Sequence, residues 1–588
     1  MWGRSILIAC ALFLCTGLVV SGQNRSKFAS DLRNLKSTDH VDLIVQFKSL
    51  PTSANHKRVL RLGGTMGRQY HRLAFGSYRN VPAGILAALQ SDSTVVHVSR
   101  DRKINAASTS VTPAVLDLHN ETMGTANAWA QGLDGTGIGV AVIDSGVTAV
   151  DDLTASRIVY SQDFFSPGGD GRDQYGHGTH VAGIIGGSGA DSAGSNNTYT
   201  FKGVAPNANI IDLRVLGPDG SGQDSDVIAA IDTAIQLKDT YNIRVLNLSL
   251  GRGVFESYVD DPLDQAVERA WNAGIFVVVS AGNYGRDNDA GTHGYGTITA
   301  PGNDPYVITV GAMNGVGTAD PTDDIPGSYS SKGPTLFDHF VKPDIVAPGN
   351  QIVSLYTPLE TINAQHPEKE APNYLYVADG DSNGSPSYYI LSGTSMAAPM
   401  VSGAAALLLQ QNPALTPDQL KIRLMKTAFK NLQQASSVTD ATTGTTYNMQ
   451  ADVFTVGSGL LDVNAALNDN TVAPATLGAA ESPSAAVDAD GNVVMQLQPN
   501  FVLWGSGATD TEMVLWGSMV LWGSNTQGEM VLWGSNSLSS EMVLWGSNTE
   551  NSQMVLWGSM VLWGSNSTNS SMVLWGSAQF NGDPVKLH

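Results

Sequence analysis

The sequence predicts an α/β fold: a parallel sheet flanked by helices on both faces. A small α+β module precedes it and a β-rich repeat tail follows it. Three observations predict this. Short apolar runs alternate with helical periodicity from about residue 125 to 470. A short strand–helix–strand pattern precedes that region, and one pentapeptide recurs after residue 500.

The strands come first. Residues 139–144 form a β-branched apolar run, followed by others at 210–216, 245–250, 275–280 and 307–310. Between them, Val227, Ile228, Ile231, Ala234 and Ile235 share one helical face, with Ser225 or Asp224 as cap. Residues 262–273 are a second helix. Thr416-Pro417-Asp418-Gln419 reads as a capping box with Pro at the first helical position. Near-continuous apolar strands alternating with helices mean a parallel sheet covered on both faces. Ligands in such sheets sit beyond the carboxyl ends of the strands.

Composition narrows the function. Of 588 residues 14% are charged and 42% hydrophobic, which supplies a large core and excludes disorder for the bulk. A net charge of −21 argues against a nucleic-acid partner. The two cysteines, Cys10 and Cys15, lie in the N-terminal apolar run, so no disulfide framework exists. Arg4 followed by uncharged residues 5–20 and small residues at 20–22 has the form of a secretory signal peptide over 1–22. The alternative is a membrane anchor, although the run falls short of the ~20 residues a span needs.

Charge is unevenly placed. Residues 23–108 hold 14 Lys/Arg against 5 Asp/Glu, a net of +9, and residues 109–588 carry −31. Either both are ordinary solvated faces, or a basic pro-segment complements the acidic domain it covers. Within 41–105 the pattern is strand (41–47), helical turn (83–90) and strand (95–98), and 105–112 reads as a linker.

Three motifs sit where chemistry is expected. Asp144 follows an apolar strand and precedes the turn at Gly146. His177 opens a helix of small residues, flanked by Gly176 and Gly178. Ser395 starts a long apolar helix running to about Leu409, with Pro399 expected in its first turn. Singly, each has a plain structural reading: turn residue, packed histidine, N-cap. Together on one α/β chain they are specific.

Those residues carry a family resemblance. From about Trp129 to Ala466 the chain resembles the subtilisin-like serine proteases, the subtilases, at residues 140–146, 177–183, 246–251, 281–283, 342–349 and 393–399. The order Asp, His, Ser is the known order of subtilisin, not a deduction from these residues. The resemblance implies a subtilisin-like sheet and a triad of Asp144, His177 and Ser395. It also implies that Asn283 stabilises the oxyanion and that Ser249, Leu250 and Gly251 pair with extended substrate. A serine hydroxyl needs a base, and His177 would supply it while Asp144 holds its tautomer. His180, one turn on, is expected to pack or bond locally. Residues 297–301 would line the pocket before the scissile bond; they hold no charge, so a broad or apolar preference follows.

The implied organisation is a signal peptide (1–22), a propeptide (23–108, inhibitor-like core 41–105), a peptidase domain (109–470), a linker (471–500) and a repeat tail (501–588). Residues 358–387 look like an insertion that either shapes the cleft, binds an ion or is a surface loop. No cofactor is required for the chemistry. Structural calcium is compatible by family habit only: residues 186–202 lie where one calcium loop falls but hold a single carboxylate, Asp191. The metal site is therefore unknown.

In the tail, Val-Leu-Trp-Gly-Ser occurs eight times between 502 and 577, seven times after Met. Each unit reads as a short strand and turn that cannot bury a face alone. It is a stacked β-array, a segment ordered on a cell surface, glycan or partner, or an aggregation-prone tail. The expected function is a secreted serine endopeptidase made as an autoprocessed precursor. It would act on protein or peptide substrates, with its propeptide as intramolecular inhibitor. The alternative is a surface-attached binding or display module whose protease domain serves self-processing.

Overall fold

The computed structural model describes residues 27–106 and 117–487, apart from 34, 290, 359, 441–442, 471–474 and 476, plus the backbone of short strands between 493 and 575. The signal-like segment 1–22 and residues 107–116, which include most of the expected linker, lie outside the described residues.

The central sheet runs in the order Ile158–Asp163, Asn209–Arg214, Gly139–Asp144, Ile243–Leu248, Phe276–Ser280, Ile308–Asn314, with Ile345–Pro348 also on Ile308–Asn314. All of these pairings are parallel. Gly139–Asp144 and Phe276–Ser280 are buried at every position, as strands covered on both faces must be. The helices His177–Gly186 and Thr394–Gln411 pack together on one face, and Asp224–Leu237 packs with Pro262–Asn272. Thr394–Gln411 is buried from Thr394 through Leu409, so its apolar residues wrap all sides instead of forming a stripe. Thr416 closes the expected capping box on Pro417–Thr427.

One expected cap is corrected. Neither Ser225 nor Asp224 caps its helix; both lie inside Asp224–Leu237, whose N-cap Gln223 makes no side-chain bond. The helix's first donors go to the N-terminal module instead. Asp224 N–H donates to the Arg102 carbonyl at 2.9 Å, and Ser225 N–H to the Asp101 carboxylate at 2.9 Å. A remote chain segment thus satisfies orphan groups that no local residue meets.

That module is a four-stranded antiparallel sheet in the order Thr65–Gln69, Phe75–Pro82, His40–Phe47, Val95–Arg100, with helices Ser53–Leu60 and Leu86–Gln90. Strand alternation sends its residues two ways. Leu43 and Val45 enter the module's own core with Tyr78 and Val98. Ile44, between them, joins the core of the large domain with Tyr70, Leu73 and Phe75.

Two expectations change. The stretch 358–387 is not a bare loop: Glu370–Pro372 and Gly384–Leu391 build a sheet with Ile352–Leu355. Part of the expected linker is docked on the domain. Ala479, Ala480 and Ser482 are buried, Ala480 N–H donates to Asp418, and Ser482 Oγ to Asp344. Asp344 also pairs with buried Lys342 at 2.7 Å and Lys421 at 3.2 Å, so Ser482 completes a buried charge cluster.

In the tail, Met513–Trp516, Met530–Trp533, Met554–Trp557 and Met572–Trp575 form one parallel sheet. Val520–Trp522, Val543–Trp545 and Val561–Trp563 form a second. The chain alternates between the two, and equivalent residues pair, as Met513 with Met530. The first unit, with Trp504, lies outside the described residues. Among the described residues no helix is long and apolar enough to cross a membrane.

Candidate active site

Asp144 ends the strand at which the sheet changes direction. The chain leaves Gly139–Asp144 outward to Ile158–Asp163, returns through Asn209–Arg214, then crosses to Ile243–Leu248. Adjacent loops therefore part at the carboxyl end of this strand and open a crevice. Asp144 and His177 meet there, Ser395 opens the helix packed against that of His177, and all three are fully buried.

Asp144 Oδ1 lies 2.7 Å from His177 Nδ1 and accepts the Ser145 N–H at 2.8 Å. With Nδ1 donating to a carboxylate, Nε2 carries the lone pair. That Nε2 is buried and has no hydrogen-bond partner among the described residues. A buried ring nitrogen left unpaired is costly, and it is placed to accept a proton. Burial works against the imidazolium, but the charge and hydrogen bond of Asp144, with Asp173 behind, outweigh it and raise the His177 pKa. The Ser395 hydroxyl donates to the Ser249 carbonyl at 2.9 Å and makes no hydrogen bond to the imidazole.

Asp173 ties these elements together. It accepts N–H bonds from Gly176 and Thr179 around the start of the His177 helix, and the Ser145 hydroxyl at 2.9 Å. Ser145 Oγ in turn accepts the Gly178 N–H. This approach requires Gly178: a Cβ there would strike the Gly146 carbonyl and stand 3.2 Å from Asp144 Cβ. Gly146 turns the chain at φ 107°, which side chains rarely allow.

Asn283 is held by its oxygen. Oδ1 accepts from Thr394 N–H and Thr394 Oγ, both at 3.0 Å, which leaves the amide nitrogen buried and unpartnered. An amide so anchored keeps two donors next to Thr394 and Ser395.

Pro399 sits one turn deeper than the sequence suggests, inside the Thr394–Gln411 helix. Having no N–H, it leaves the Ser395 carbonyl without its helical donor. Ser249 Oγ supplies one at 2.8 Å. Asn247 Nδ2 donates to Ser249 Oγ, and Ser402 Oγ to Asn247 Oδ1.

Residues 103–106 of the N-terminal module occupy the cleft. Lys103–Ala106 is the middle strand between Leu250–Gly251 and Ser221–Gln223, antiparallel to both. Leu250 faces Ala106 and Gly251 faces Asn105, while Ala106 N–H donates to Gly220 at 2.9 Å. Ser249 lies one residue short of this pairing and bonds Ser395 instead.

His180 does not join the site. Its Nε2 lies 3.0 Å from the carbonyl of Tyr389, remote in sequence, and burial pushes its pKa down to about 3. Sequence reasoning missed Asp173, Asn247, Ser402 and the strand Ser221–Gln223. Asn247 lies within the recognised segment 246–251 and Asp173 just before 177–183, but nothing local marks their partners.

The polar groups facing residues 186–202 are paired with one another. Asp152, the buried carboxylate facing this loop, accepts the Asp191 N–H at 2.7 Å and the Tyr388 hydroxyl at 2.6 Å. Ser192 Oγ is 2.7 Å from the same hydroxyl. Donors thus aim where a hard cation needs oxygens. No group of three or more His, Cys, Asp or Glu able to hold a metal occurs among the described residues.

A family model described as "Subtilase family" matches residues 135–459. Serine protease AprX of Bacillus subtilis is 37% identical over 363 residues, which cover 57% of this chain and 76% of that protein. An extracellular serine proteinase of a Thermus species is 32% identical, covering 63% of this chain and 75% of its own. Among solved structures, fervidolysin from Fervidobacterium pennivorans, described as a keratinolytic enzyme related to subtilisin, shares the fold. Its TM-score is 0.55 at 22% identity, over 81% of this chain and 68% of that one.

Proposed function

The chain belongs to the subtilase family of serine endopeptidases, and we propose that it cleaves peptide bonds through Asp144, His177 and Ser395. The observation that carries this reading is the 2.7 Å Asp144–His177 contact with an unpaired, buried Nε2 on the far side of the ring. His177 Nε2 takes the Ser395 proton as Oγ attacks the scissile carbonyl carbon. The carbonyl π pair moves onto oxygen, and the oxyanion accepts hydrogen bonds from Asn283 Nδ2 and the Ser395 N–H. Collapse expels the amine, which takes the proton from His177 and leaves an acyl-serine. Water, deprotonated by the same nitrogen, then releases the acid.

The N-terminal module acts as an inhibitory propeptide. Its strand Lys103–Ala106 fills the substrate groove, which supports an enzyme blocked by its own leader. The described strand ends at Ala106, opposite Leu250, and the next residue along the large domain, Ser249, holds the Ser395 hydroxyl on its carbonyl. We therefore assign self-cleavage to the bond after Ala107. Secretion is supported by the signal-like residues 1–22 and by the extracellular Thermus relative. A fluorophosphonate probe tests the assignment: it labels Ser395 in the wild type and leaves His177→Ala unlabelled. Label on any other serine refutes it.

A further inference from the structure

A deeply held cation of the N-terminal module lies at the edge of the cleft. Arg102 is 7% exposed, one residue before the strand that fills the groove. Its Nη1 lies 2.8 Å from Glu256 Oε1 and 3.7 Å from Asp261 Oδ2. Its guanidinium stands 5.0 Å over the Phe255 ring, a cation–π distance. The Arg102 carbonyl accepts the Asp224 N–H, so the backbone is held as well.

The large domain's own charges do not balance here. Asp224, Asp261 and Glu256 are all buried, and among the described residues only Arg252 answers them from the same domain. Arg252 is spent on Asp224 at 2.9 Å and Asp261 at 2.8 Å. Glu256 is paired on both oxygens, to Arg102 and, at 2.7 Å, to His97. Both partners belong to the N-terminal module. When that module leaves, Glu256 loses both counter-charges and opens to solvent beside the exposed Phe255 ring, with Asp261 behind it, an arrangement that favours a new guanidinium.

We propose that Glu256, Asp261 and the face of Phe255 form a specificity pocket for an arginine in the protein substrate. The position is two residues before the one Ile104 occupies and four before that of Ala106. This rests on the proteolytic function proposed above and adds a substrate class to it: extended segments with arginine well upstream of the cut bond. We expect the contact to be made alike in the ground and transition states, so that it moves KM, not kcat.

The test uses internally quenched peptides copying residues 99–112, with Arg, Ala or Glu at the position of Arg102, and enzyme matured from the full chain. Arg should exceed Ala in kcat/KM by about three- to tenfold, the range for a partly buried charge pair. The gain should lie in KM and shrink with salt. Glu256→Gln should bring the Arg:Ala ratio to about one, and Glu256→Lys should favour the Glu peptide. Ratios are read within one enzyme, so altered folding cancels. Equal hydrolysis of the three peptides by wild type overturns the pocket and leaves the protease reading intact. Hydrolysis of none overturns the protease reading itself.

Discussion

Ser249 and Ser395 exchange hydrogen bonds: each hydroxyl donates to the other's backbone carbonyl, at 2.8 and 2.9 Å. One bond fixes the Ser395 hydroxyl. The other replaces the donor that Pro399 cannot offer to the Ser395 carbonyl. Ser249→Ala should therefore cost about 1–3 kcal/mol, the penalty for a buried unsatisfied acceptor, in denaturant unfolding. Adding Pro399→Ala returns an N–H to that carbonyl and should recover part of the loss. Simple addition of two losses would contradict the relationship.

Asn283 offers an amide donor that no described residue accepts, and its proposed role is to bind the oxyanion. Asn283→Ala should lower kcat by ~10² to 10³ with little change in KM, the range known for the oxyanion-hole amide of subtilisin. Steady-state kinetics on a peptide substrate checks it, and a loss confined to KM would assign Asn283 to binding alone.

These two residues mark how far the sequence is legible. Asp144, His177 and Ser395 stand out because each sits at a strand end or helix start with small residues around it. Asn283 follows by resemblance. Ser402 and Asn247 are 155 residues apart, and Arg102 and Glu256 are 154 apart, so nothing local announces either pair. The helix cap near Ser225 fails for the same reason: its acceptors, Asp101 and the Arg102 carbonyl, come from another module. Fold class is written in periodicity, whereas second partners are written only in tertiary contact.

Asp101 gives the docked module a pH dependence. Burial, with the Asp224 and Asp226 carboxylates nearby, raises its pKa from 3.8 to about 7 against the opposing hydrogen bond from Ser225. The docked state keeps a proton that the free module sheds. Docking is therefore strongest below the ordinary carboxyl pKa and weakens as pH rises toward about 7. After self-cleavage, the active fraction should grow between about pH 5 and 7 and level off above. Asp101→Asn should flatten that profile; release favoured by acid would contradict it.

Tyr388 holds the 186–202 loop where a cation would otherwise be expected. Its hydroxyl meets the buried Asp152, and a hydrogen bond to a charged group is worth ~1.5–3 kcal/mol. Tyr388→Phe should lower the thermal midpoint, whereas chelation should leave it unchanged. A midpoint that falls on chelation and returns with calcium would place an ion in the protein.

The proposed mechanism requires Ser395 to cut the chain at the bond after Ala107. The sharpest test is the intact mass of the purified chain and of Ser395→Ala, each incubated alone. The wild type should yield a product beginning at Ser108, and the Ser395→Ala chain should stay uncut. Cleavage of the isolated Ser395→Ala chain at that bond would overturn the mechanism.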